Sequence, residues 1–255
     1  MTDFAPGTPC WLDLGTTDVA AATTFYGDLL GWTAEDLGPE ANGYRLLRKD
    51  GRQVAGLGPA TDPARGTSWA VHFATADLDE SVALVRKHGG TVALEPMAVM
   101  DKGRLAVAQD PAGAYFSLWQ AGTHPGAELV RAPGALHWVE LFSTDRDGVT
   151  DFYRAVLGAT TRDVALPGGL VYRLFDVGDE AVAGSLQITP EMGDMSSAWS
   201  VFFHVEDVDA VADAVVARGG RQIMRGDVPA GRMAMLLDPQ DGFFSVMTPD
   251  PSFEM

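Results

Sequence analysis

Two tryptophan–acid pairs are the residues in this chain best suited to do chemistry. Asp13 follows Trp11 by two positions, and Glu140 follows Trp138 by two. On an extended strand, residues two apart share a face, so each carboxylate stands beside an indole. An acid on such a face is costly to bury unless it is paired or reached by water. Burial near tryptophan would raise its pKa toward the range useful for a general base. The indoles themselves offer ring stacking and cation–π contact, each about 0.5 to 2 kcal/mol when desolvated. Trp69 and Trp199 would approach from partner strands, and Arg104 and Arg232 from later ones. A plainer alternative stays open at this point: Asp13 and Glu140 bond to those arginines across a sheet, and the tryptophans are core.

Positioning these groups requires a folded domain, and the composition supports one. The chain has 255 residues, 46% hydrophobic and 21% charged, enough for one large domain or two small ones. Eighteen Lys plus Arg against 35 Asp plus Glu give a formal charge of −17. Such a field repels phosphate backbones and anionic headgroups, so no nucleic-acid or membrane partner is expected. The single Cys10 excludes an internal disulfide and a Cys-based zinc site. The N-terminal residues lack a basic and then apolar leader, and no apolar run approaches a membrane span, so a cytoplasmic location is expected. No Gly-x-Ser-x-Gly elbow, phosphate loop or dinucleotide fingerprint is present, and no cofactor is expected.

The elements follow from an internal repeat. Pro6 to Leu14 returns as Pro133 to Leu141, with Trp11 and Trp138 in register at an offset of 127 (138 − 11). Phe25-Tyr26 returns as Phe152-Tyr153, and Gly103-Arg104 with Asp110-Pro111 as Gly231-Arg232 with Asp238-Pro239. Each half divides again, because an apolar extended stretch, an Asp and a helical pattern occur four times. Helices are predicted over Val19 to Leu30, Leu78 to His88, Arg146 to Leu157 and Val208 to Arg218. Asp18, Asp77 or Asp79, Asp145, and Asp207 or Asp209 suit the N-caps, and Gly31, Gly89, Gly158 and Gly219 the stops. Short strand patterns follow each helix, giving a βαβββ unit; in the third quarter they are read over Leu170 to Val177 and Ala181 to Ile188. The expected division is residues 6–120, a Gly/Pro-punctuated linker over 121–133, and residues 134–250.

Four tandem βαβββ units with Phe25-Tyr26, Phe152-Tyr153, Leu30-Gly31, Leu157-Gly158 and Asp110-Pro111-Ala112-Gly113 resemble the vicinal oxygen chelate superfamily of glyoxalases, bleomycin-resistance proteins and extradiol dioxygenases. Within it the chain is similar to two-domain actinobacterial members labelled hydroxylase-like or glyoxalase-like. The resemblance implies an α+β fold of two domains, each a curved mixed sheet with helices on the convex side and a ligand cleft on the concave side. It also implies where a metal would be held, one ligand from the first and one from the last strand of each unit. Those positions fall on Trp11, Val71, Trp138 and Val201, on Ser117 and Ser245, and near Gly56 and Gly184. None suits a divalent metal, and no metal is expected.

Three histidines lie close to those positions, so the facing of the strands decides their role. If Trp69, Val71 and Phe73 line the cleft, His72 faces the helices; His137 shares a face with Val139 and Leu141, and His204 sits beside Phe202. A one-residue slip would reverse these assignments. The expected function is metal-independent binding of an aromatic or cationic small molecule by a monomer or homodimer. Two alternatives are a metal-free cyclase, isomerase or hydroxylase with Asp13 or Glu140 as base, and a metal-dependent enzyme using displaced ligands such as His72, His137, His204 or Glu140.

Overall fold

A computed structural model describes residues 4–62, 64 and 66–253 of the chain. The first quarter holds β1 (Pro9–Thr16), α1 (Val19–Leu30), β2 (Thr33–Asp36), β3 (Arg45–Lys49) and β4 (Arg52–Pro59). The second holds β5 (Ser68–Ala74), α2 (Leu78–Lys87), β6 (Thr91–Val99), β7 (Gly103–Gln109) and β8 (Tyr115–Ala121). The third holds β9 (Leu136–Ser143), α3 (Arg146–Leu157), β10 (Thr160–Ala165), β11 (Val171–Val177) and β12 (Glu180–Gln187). The fourth holds β13 (Ala198–His204), α4 (Val208–Ala217), β14 (Arg221–Val228), β15 (Gly231–Leu237) and β16 (Phe243–Pro249). No helix among the described residues is long and apolar enough to cross a membrane.

Each helix begins where an aspartate can serve it. The side chains of Asp18, Asp77, Asp145 and Asp207 accept bonds from Ala21, Glu80, Gly148 and Ala210 N–H, each satisfying an amide that has no partner within its helix. Asp79 and Asp209 lie inside the first turn. At the far end Gly31 and Gly158 turn into the left-handed region at φ 70° and 66°, a conformation that ends α1 and α3 at little steric cost. The helices match the sequence prediction to within a residue. The strand β10 was not legible there: its residues are exposed or half-buried and carry no apolar alternation.

The strands form two mixed eight-stranded sheets with the same order, β2-β3-β4-β1-β5-β8-β7-β6 and β10-β11-β12-β9-β13-β16-β15-β14. First and last strands of each quarter lie parallel, as in β1 with β4 and β9 with β12, and the intervening pairs are antiparallel. By backbone contact the chain forms two compact units. Among the described residues, one comprises Val71–Gly126 and Val139–Trp199 with residues 4–10; the other comprises Trp11–Ala70, Ala127–Trp138 and residues 200–253.

A polar chain ties together each unit's core. In the first unit Trp199 Nε1 donates to the Tyr153 hydroxyl at 3.0 Å, and Tyr153 donates to Asp110 Oδ2 at 2.8 Å. Asp110 Oδ1 accepts from Ala112 and Ala114 N–H, which fixes the Asp110-Pro111-Ala112-Gly113 turn. The second unit repeats this through Trp69, Tyr26 and Asp238, at 3.1 and 2.9 Å, with Gln240 and Gly242 N–H on the second carboxylate oxygen. Both phenols are fully buried and titrate well above 10, chiefly because burial opposes their charge. The recurrent Phe-Tyr and Asp-Pro motifs therefore hold helix to turn.

Candidate functional site

The same bonds settle which way the strands face. Trp69 and Trp199 reach tyrosines on α1 and α3, and Phe73 packs against Phe116 and Trp199. Trp69, Val71 and Phe73, and likewise Trp199, Val201 and Phe203, thus turn toward the helices. The sequence reading had set them the other way. Counted back from the capping aspartates, Ala70 and His72 are the true equivalents of Trp11 and Asp13, and Ser200 and Phe202 those of Trp138 and Glu140. His72 accordingly lies on the face away from the helices, paired in register with Ser117. The slip arose because β5 and β13 open with a tryptophan one position out of step with β1 and β9.

On β1, Cys10, Leu12 and Leu14 are buried on one face, leaving Trp11 and Asp13 on the other. There the Tyr44 hydroxyl, just before β3, donates to Asp13 Oδ1 at 2.6 Å. Trp11 Nε1 is shared between Asp13 Oδ1 at 3.1 Å and the Tyr44 oxygen at 3.3 Å. Asp13 pairs in register with Gly56 of β4, and a Cβ at Gly56 would overlap both the Tyr44 hydroxyl and the Asp13 carboxylate. Glycine is what makes room for this contact. Burial and the neighbouring Asp13 charge hold the Tyr44 phenol well above 10, so it serves as a neutral donor.

The third quarter repeats the arrangement. Glu140 of β9 pairs with Gly184 of β12, and a Cβ at Gly184 would overlap the Tyr172 ring and hydroxyl. Tyr172 hydrogen-bonds Glu140. Here the acid is buried, at 6% exposure, and burial pushes its pKa up to about 7, the Tyr172 bond acting in the opposite direction. A carboxyl poised there is half ionised at neutral pH and can give or take a proton. Trp138, two positions earlier, is also buried.

The arginines are elsewhere. Arg104 makes a bidentate pair with Asp79 of α2 at 2.9 and 3.0 Å, and Arg232 pairs with Asp209 of α4 and with Asp227. Neither bonds Asp13 or Glu140, which removes the plainer sequence alternative for the two acids. His137 and His204 stack at 5.6 Å, and each Nδ1 is buried without a partner. Burial lowers His137 to about 4, helped by His204 and Arg131, so it stays neutral. Among the described residues no group of three or more His, Cys, Asp or Glu could hold a metal ion. At the strand positions that the family resemblance assigns to metal ligands, counted with the corrected facing, this chain has Trp11, Ala70, Trp138 and Ser200 with Gly56, Ser117, Gly184 and Ser245, a set that does not fit a divalent metal; His72 shares that face beside Ser117. Sequence reasoning missed Tyr44 and Tyr172; their signal was recurrence at matching places beside Arg45 and Arg173.

Comparison with known proteins places this geometry in context. The Glyoxalase/Bleomycin resistance protein/Dioxygenase superfamily matches residues 10–118 and 135–244. The anthracycline biosynthesis protein DnrV of Streptomyces peucetius is 40% identical over 263 residues, covering 97% of this chain and 95% of that one. The putative glyoxylase CFP32 of Mycobacterium bovis is 37% identical, covering 98% of each. Among solved structures, the Mn(II)-bound glyoxalase of Novosphingobium aromaticivorans superposes with a TM-score of 0.65 at 19% identity, over 95% of this chain and 82% of that one. The 2,2',3-trihydroxybiphenyl 1,2-dioxygenase of Sphingomonas wittichii does so with a TM-score of 0.67 at 15% identity, over 96% and 91%. These structures share the fold.

Proposed function

The chain belongs to the Glyoxalase/Bleomycin resistance protein/Dioxygenase superfamily, and from that premise we propose that it binds a planar aromatic metabolite, of the hydroxylated polycyclic kind, without a metal. The observation that carries the reading is the Trp11–Asp13–Tyr44 cluster over Gly56: an indole stands at a strand position that the family resemblance assigns to a metal ligand, and a carboxylate and a phenol are bonded beside it. The indole supplies apolar surface, and the oxygens supply acceptor and donor for a ring hydroxyl or cationic substituent. Kinship with an anthracycline biosynthesis protein supports an aromatic ligand.

A second reading, a metal-free enzyme with Glu140 as proton acceptor, is favoured by the single fact that burial brings this acid to about 7. Titration of tryptophan fluorescence with 1,8-dihydroxyanthraquinone tests the first reading. Saturable quenching that weakens at least tenfold in Asp13→Asn is expected, and no quenching at solubility-limited ligand would overturn it. Turnover of the bound probe, lost in Glu140→Gln with quenching retained, would establish the second.

A further inference from the structure

Four strand positions are equivalent by register, and comparing them shows which residues travel together. The residue on the first strand, its parallel neighbour on the last strand, and the residue two before the one opposite that neighbour form a set. In the first quarter the set is Asp13, Gly56 and Tyr44; in the third it is Glu140, Gly184 and Tyr172. In the second it is His72, Ser117 and Leu105, and in the fourth Phe202, Ser245 and Met233. Tyrosine and glycine occur together with a carboxylate, and neither occurs where the carboxylate is missing. In both carboxylate quarters the glycine has no room for a Cβ because the tyrosine's ring and hydroxyl lie over it.

We propose that Tyr44 and Tyr172 are positioning residues whose hydroxyls, seated over Gly56 and Gly184, orient the Asp13 and Glu140 carboxylates and stabilise their ionised form. A phenol donates one proton to a carboxyl oxygen lone pair, and the bond is stronger when that oxygen is ionised, so it selects a rotamer and favours the charged form. In the first quarter the Trp11 N–H shares the task. In the third, burial opposes ionisation and Tyr172 counters it, so its removal should be visible in the Glu140 titration. The inference gains its functional meaning from the carboxylates' proposed ligand role. Its test is read without ligand, so that its failure and the failure of that role are separate results.

The experiment follows the carboxyl carbon resonance of Glu140 in the full chain with 13C-labelled glutamate, assigned by its loss in Glu140→Gln. In Tyr172→Phe the midpoint should rise, lowering the ionised fraction at neutral pH roughly fivefold, the scale of one hydrogen bond to a charged group. Gly184→Ala should displace the phenol and move the midpoint in the same direction, and the double variant should add little to either. A midpoint unchanged in Tyr172→Phe overturns the proposal, as does a fully additive double variant. Should Gly184→Ala fail to fold, Tyr172→Phe decides by itself.

Discussion

The first and third quarters carry the same three-residue frame with different acids, and the contrast shows what a duplicated site can divide. Asp13 is short, half-buried and bonded by both Tyr44 and Trp11. Glu140 is one methylene longer, buried, and brought to about 7. A carboxylate oxygen that accepts from a phenol and an indole is held in one orientation, suited to gripping a donor group. Burial with a tyrosine partner favours a group that changes protonation near neutrality. The strand order around the two acids is the same, and they differ in length and in burial.

The largest expected effect breaks the frame itself. Gly184→Val forces a branched side chain into the space of the Tyr172 ring and should cost roughly 3 kcal/mol in urea unfolding, more than the same change at the unhindered Gly226. Next, Tyr153→Phe leaves the buried Asp110 and Trp199 without their shared partner and should cost about 2 kcal/mol, with Tyr26→Phe matching it in the other unit.

Glu140 sharpens the comparison through pH. Its folded pKa is raised, so the native state holds the proton more tightly than the unfolded chain does. The stability it contributes is present below about 4.5 and is lost as pH rises through about 7. Glu140→Gln should remove that loss and make the protein more stable than wild type at pH 8, by up to roughly 3 kcal/mol, with little difference at pH 4. The smallest effect is expected at Arg104→Ala, whose exposed pair with Asp79 should leave the urea midpoint within error of wild type, because solvent screens it.

Much of this was legible in the sequence, and the failures have a common physical origin. The repeat, the four capped helices and the Trp11–Asp13 and Trp138–Glu140 pairs could be read directly, because caps and period-two alternation are local. The facing of β5 and β13 could not, since both faces of these central strands carry apolar residues and alternation loses its contrast there. His72 changed sides with that correction. The placement of Arg104 and Arg232 also escaped: an arginine on a strand reaches a helix-cap region as readily as a concave face, and only the fold distinguishes them. Tyr44 and Tyr172 act across strands, through registers that no local pattern specifies.

The central claim is that the indole–carboxylate–phenol face binds an aromatic ligand without metal. Calorimetric titration of 1,8-dihydroxyanthraquinone into chelator-stripped protein tests it most directly. Saturable binding with a dissociation constant that is the same before and after adding excess Mn2+ or Zn2+ is the expected result. Binding that appears only on adding a divalent metal would contradict it.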